Sequence, residues 1–123
     1  MTRTQATTFA DVGDLRAYNR FVWNGGSSKE ALNYGDNGLG AWELSTVAGT
    51  GPAVALPRSV VAEGCGASTR QPKRLVRLFY GEKHVDCQVR DIAPGGIIDL
   101  NPDAAAELGI RPPWKGFVDW IWL

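Results

Sequence analysis

Asp91 is the residue in this chain best placed to do acid–base chemistry. It follows a stretch, 85–90, in which apolar and polar residues alternate, and it precedes the turn signal Pro94-Gly95-Gly96. A carboxylate desolvated at the end of a buried strand can serve as a general acid near neutral pH. The alternative is a structural aspartate that accepts backbone N–H groups of the Pro94-Gly95-Gly96 turn. Asp11 offers a second carboxylate, with Asp14 and Asp36 as competitors for the same role. If Asp11 and Asp91 faced each other about 6.5–9.5 Å apart with water between, inverting hydrolysis of a glycosidic bond would be possible. Trp23, Tyr34 and Trp42 lie in a Gly-rich region and are candidate platforms for pyranose rings, with packing or loop anchoring as the alternative.

These groups have to be positioned by a strand, a loop and a helix that can be read directly. After Asp91 the apolar pair Ile97-Ile98 leads to Asp99-Leu100, and then Asn101-Pro102-Asp103-Ala104-Ala105-Ala106-Glu107-Leu108-Gly109 spells a short helix. Asn101 suits the N-cap, Pro102 the first turn, Asp103 the positive end of the helix and Gly109 its closure. Asp99, just ahead of that helix, is expected to be structural and stabilised by the free N–H groups of the first turn.

The segment from Val85 to the C-terminus resembles the double-psi β-barrel domains of the rare lipoprotein A family. The matching pieces are Val89-Arg90-Asp91-Ile92-Ala93-Pro94, Ile97-Ile98-Asp99-Leu100-Asn101, Ala105-Ala106-Glu107-Leu108-Gly109 and Gly116-Phe117-Val118, with Leu56-Pro57 upstream. Expansin N-terminal domains, barwin and the family-45 endoglucanases are similar barrels, and Thr7-Thr8-Phe9-Ala10-Asp11 looks like the first strand of the last. The resemblance implies an all-β, six-stranded double-psi barrel over residues 1–123, acting on or binding polysaccharide or peptidoglycan. As in the lytic transglycosylases of this fold, Asp91 would protonate the glycosidic oxygen and then take a proton from the sugar 6-hydroxyl. The chain departs from the family where Ala53 falls near its signature histidine and where Ile92-Ala93 replaces Arg-Gly. A non-catalytic glycan-binding or wall-loosening module, and a scaffold within a larger assembly such as a phage particle, are the alternative roles.

Bulk composition bounds these readings. A chain of 123 residues is one domain with a sizeable core. Thirteen basic and 13 acidic residues leave no net charge, which argues against a nucleic-acid partner. Fifteen glycines and seven prolines suit a loop-rich β architecture. No apolar run reaches the roughly 18 residues of a membrane span, and the N-terminus has no apolar signal-peptide core. One histidine and no Cys-x-x-Cys make a metal site or other cofactor unexpected. Cys65 and Cys87 could pair or stay free; Cys87 alternates with Val85 and Val89, so a buried apolar role is preferred.

Along the rest of the chain, strands are expected at 5–10, 53–62 and 116–123, and a hairpin at 75–89. Val118, Trp120 and Trp122 share one face of the last strand, with at least one tryptophan in the core. Residues 11–40, rich in Gly, Asn, Asp and Ser, read as a long loop region with one helical turn at 28–32. His84 is expected to face solvent, and Arg70 to Arg74 to form a solvated basic loop.

Overall fold

The computed structural model describes residues 1–9, 12–31, 38–42, 44–65 and 74–123. Six strands run in the order β1 (Thr2–Thr8), β2 (Ala53–Pro57), β3 (Leu75–Tyr80), β4 (Lys83–Ala93), β5 (Ile98–Leu100) and β6 (Lys115–Trp122). They close into a barrel with the circular order β1-β5-β2-β4-β3-β6. The pairs β1/β5 and β2/β4 are parallel, while β2/β5, β3/β4, β3/β6 and β1/β6 are antiparallel. Exchanging β1, β2 and β3 with β4, β5 and β6 reproduces the same circular order and the same parallel pairs. Two interlocked three-strand halves related in this way are the double-psi arrangement, and closure leaves no sheet edge unpaired.

Alternation decides which residues fill the barrel. Along β4, Val85, Cys87 and Val89 are buried, while His84 and Asp86 are exposed. On β6 Val118 and Trp120 are buried and Trp122 is partly so, with the Trp120 indole N–H donating to Thr4 Oγ1 at 3.0 Å. The Trp120 and Trp122 rings meet edge to face at 5.7 Å. β2 is too short and too central to alternate: all five of its residues are buried. The hairpin turns through Gly81-Glu82, with Gly81 at φ +60°, as a two-residue turn requires.

Among the described residues four helices decorate the barrel: α1 (Val12–Trp23), α2 (Ser28–Ala31), α3 (Arg58–Cys65) and α4 (Pro102–Glu107). The expected short helix near the C-terminus is α4, and the expected helical turn at 28–32 is α2; α1 and α3 correct the sequence reading. Much of the 11–40 region is helix rather than loop. Leu15, Tyr18 and Phe21 are half-buried at helical spacing, and Gly25 (φ +92°) closes α1, its N–H bonding to Val22 O at 3.0 Å. The strand expected over 53–62 ends at Pro57. The valines beyond it, β formers by propensity, are carried on α3, where Val61 is fully buried. Gly64 lets α3 approach the barrel, since a Cβ there would stand 2.0 Å from the Trp122 ring.

Cys87 is a free, buried thiol. Its pKa is pushed up to about 12, first by burial and then by the Asp86 carboxylate. Of the basic stretch, residues 70–73 lie outside the described residues. Arg74 is held rather than freely solvated: its guanidinium sits 4.6 Å from the Trp122 ring centroid and donates to the Gly64 and Leu123 carbonyls. His84 faces solvent beside Phe79, their ring centroids 6.1 Å apart.

Candidate functional site at the end of strand β4

A register shift places Asp91. Val54 pairs with Val89, but Ala55 pairs with Asp91, so Arg90 is an extra residue on β4. A bulge of this kind reverses which residues point inward. Without it, Asp91 would follow Val85, Cys87 and Val89 into the barrel. With it, Ile92 packs against the core and Asp91 is half-buried. The fully desolvated carboxylate expected from the alternation is therefore replaced by one at the barrel surface. Asp91 Oδ1 accepts the backbone N–H of Ile92 at 2.8 Å, not those of the Pro94-Gly95-Gly96 turn.

Over this bulge lies a narrow hairpin. Gly40 N–H donates to Leu44 O at 2.8 Å, Thr46 N–H donates to Gly38 O at 2.9 Å, and Leu39 bridges Ser45. The hairpin sits so close that a Cβ on Gly40 would fall 1.9 Å from the Arg90 carbonyl oxygen and 3.3 Å from Asp91 Cβ. Arg90 itself anchors the hairpin. Its guanidinium donates to Ser45 O at 3.0 Å and Thr50 Oγ1 at 3.3 Å, and is held from behind by Gln88 Oε1 at 2.8 Å.

The far end of the same loop is fixed by the start of α4. Asp103 accepts Gly49 N–H on both oxygens, at 3.0 and 2.9 Å, and Gly51 N–H at 2.8 Å. Asn101, fully buried, accepts Ala53 N–H and Ala104 N–H through Oδ1, both at 2.9 Å. Its Nδ2 donates to Thr46 O at 3.1 Å and Gly51 O at 2.9 Å. Asn101 is the N-cap foreseen from sequence; its second role, as clamp for a loop some fifty residues away, is not. Asp99 is structural but differently employed. Ile98 and Leu100 point into the barrel, so Asp99 takes the other face of β5 and accepts the Thr7 hydroxyl of its parallel neighbour.

An open cleft of about 510 Å³ lies beside this assembly. Its walls are Ala41 from the hairpin, Arg58 and Ser59 from the start of α3, and Ile92, Ala93, Pro94 and Gly95 at the end of β4. Among the described residues no carboxylate lines it and Arg58 is the single charged group there.

No family model and no curated protein matches the chain. A solved structure does. The Streptomyces papain inhibitor superposes with a TM-score of 0.51 at 16% sequence identity, covering 98% of this chain and 93% of that one. At that identity the likeness is one of fold.

Of the other sequence-predicted residues, Trp23 and Trp42 do not line the cleft. Asp11 and Tyr34 lie outside the described residues. Trp42 is partly buried and packed against the barrel core. Trp23, at the last position of α1, is 91% exposed. Arg58 and Ser59 were not singled out by sequence, because the strand expected there would have placed them in a sheet. Among the described residues no three His, Cys, Asp or Glu side chains are grouped to hold a metal, and no helix is long and apolar enough to cross a membrane.

Proposed function

We propose that this barrel is a non-catalytic polysaccharide-binding module whose ligand lies in the cleft beside β4. The observation that carries the reading is the cleft lining: hydroxyl, guanidinium and small apolar surfaces, with no carboxylate among the described residues. Asp91, the leading acid candidate, is directed by the bulge toward the Gly40 hairpin and engages the backbone of Ile92. The resemblance of residues 85–123 to wall-acting barrels supports a glycan as the ligand class. Peptidoglycan and soluble β-glucan, incubated with wild type and Asp91→Asn, should be retained by both proteins and released uncut. Anhydro-sugar products that appear with wild type and vanish in Asp91→Asn would overturn the non-catalytic reading and return Asp91 to the role of general acid.

A second reading is favoured by Trp23, whose side chain stands 91% exposed at the end of a helix. Exposed tryptophans are frequent anchors of protein–protein contacts, and the fold neighbour is named as an inhibitor of papain. Inhibition of papain by wild type, weakened in Trp23→Ala, would favour a protein-directed module over a glycan-directed one.

A further inference from the structure

We infer that the cleft selects glycans bearing a carboxylate, with Arg58 as the specificity-determining residue; this rests on the glycan-binding reading above. Arg58 is exposed at the start of α3 and makes no ion pair or hydrogen bond among the described residues. Arg90 is engaged by the Ser45 carbonyl, Arg74 by Trp122, Arg77 by Asp86 and Arg3 by the Phe117 ring, while the exposed Arg16, Arg20 and Arg111 do not line this cleft. Among the described residues the surrounding wall offers nothing negative to compete. Ile92, Ala93, Pro94 and Ala41 are apolar, and Ser59 adds one hydroxyl that can donate to an anion. The nearest acidic side chain in sequence on β4, Asp91, is turned toward the hairpin. Glu63, one turn along α3, lines a separate cavity with Met1, Trp120 and Trp122. A planar guanidinium beside a low-polarity wall is a fork for a carboxylate, while the apolar residues fit the face of a sugar ring.

The test compares oligogalacturonate with a neutral β-glucan oligomer of equal length, by calorimetry and by backbone amide shifts of Ala41, Ile92 and Gly95. Wild type should bind the acidic oligomer about tenfold tighter, the worth of one charge-assisted hydrogen bond. Arg58→Gln should abolish that preference, weakening binding of the acidic oligomer about tenfold more than binding of the neutral one. Arg58→Lys should keep part of it, since charge survives without the fork. Equal binding of both oligomers by wild type, or a preference that persists in Arg58→Gln, would overturn the inference and leave the glycan reading standing. If neither oligomer moves the cleft amides, both fall. Arg58 is exposed, so an unchanged amide spectrum elsewhere will certify that each variant folds.

Discussion

Asn101 accepts the backbone N–H of Ala53 at 2.9 Å, joining the cap of α4 to the first residue of β2. The same oxygen accepts Ala104 N–H, and the amide nitrogen holds two carbonyls of the 46–51 loop. All four bonds are made by a side chain with no solvent exposure. Asn101→Ala removes an N-cap and strands the buried N–H of Ala53, so a loss of about 3 kcal/mol is expected. Asn101→Asp keeps the acceptor but sets a carboxylate against the Thr46 and Gly51 carbonyls, and should cost nearly as much. Denaturant unfolding of the two variants checks both values, and a loss below about 1 kcal/mol in either would contradict the clamp.

Gly40→Ala tests the hairpin. The added Cβ would meet the backbone oxygen of Arg90 at 1.9 Å, and a backbone atom in a closed barrel cannot move aside cheaply. The hairpin must lift instead, with a loss of about 1–3 kcal/mol. Faster hydrogen exchange at Gly40 and Thr46, whose amides tie the hairpin's two arms, is the expected signature. Gly49→Ala, which meets no atom within 4 Å but has φ +89°, should be destabilising through backbone strain and not through hairpin displacement.

The barrel was legible because its strands alternate and its turns are marked by glycine. β3, β4, β6 and α4 could all be placed to within a few residues from those signals. α1 was hidden by composition: Gly13, Asp14 and Asn19 are poor helix formers, and the face formed by Leu15, Tyr18 and Phe21 is narrow. The Gly25-Gly26 pair, a loop signal by composition, is a helix stop in the fold. Asp91 shows a different limit. The pattern 85, 87, 89 extends naturally to 91, and only the pairing with β2 reveals that Arg90 is inserted. A bulge is a relation between two strands, so neither strand's sequence announces it. The cleft has the same origin, since Arg58 reaches it only because the chain turns into a helix immediately after Pro57.

Thr46 carries a fully buried hydroxyl that has no hydrogen-bond partner among the described residues. An unsatisfied buried hydroxyl is a cost to the fold, while the shape of the side chain fills space. Thr46→Val keeps the shape and removes the polar atom, so it should raise stability by about 0.5–1 kcal/mol. Thr46→Ala should lower it, because the vacated volume is no longer packed. A destabilised valine variant would show that the hydroxyl has a partner the fold depends on.

At the acid limb, Arg77 and Asp86 form a bidentate pair across the β3/β4 hairpin, at 2.7 and 3.1 Å. The hydrogen bond from Arg77 holds the Asp86 carboxyl below its usual range. A lowered carboxylate pKa contributes stability that is present above the unfolded value and lost as pH falls through the folded one. Both side chains are more than a third exposed, so Arg77→Ala should flatten that acid limb only slightly, and less so in high salt.

The alkaline limb should belong in larger part to Cys87. Its thiol titrates near 12 in the fold against an ordinary value of 9.0. With the folded pKa raised, the native state binds the extra proton between those values, so stability is intact below about 9 and declines as pH rises toward 12. Cys87→Ala removes this decline along with some packing, so its unfolding free energy should start lower and fall less steeply with pH than that of wild type. Burial should also make the thiol inert. In a Cys65→Ser background, a disulfide-exchange reagent at pH 8 should label Cys87 only as fast as the protein opens, with full reaction on adding denaturant. Rapid labelling of the folded protein would mean that β4 opens locally far more often than a strand paired on both sides should.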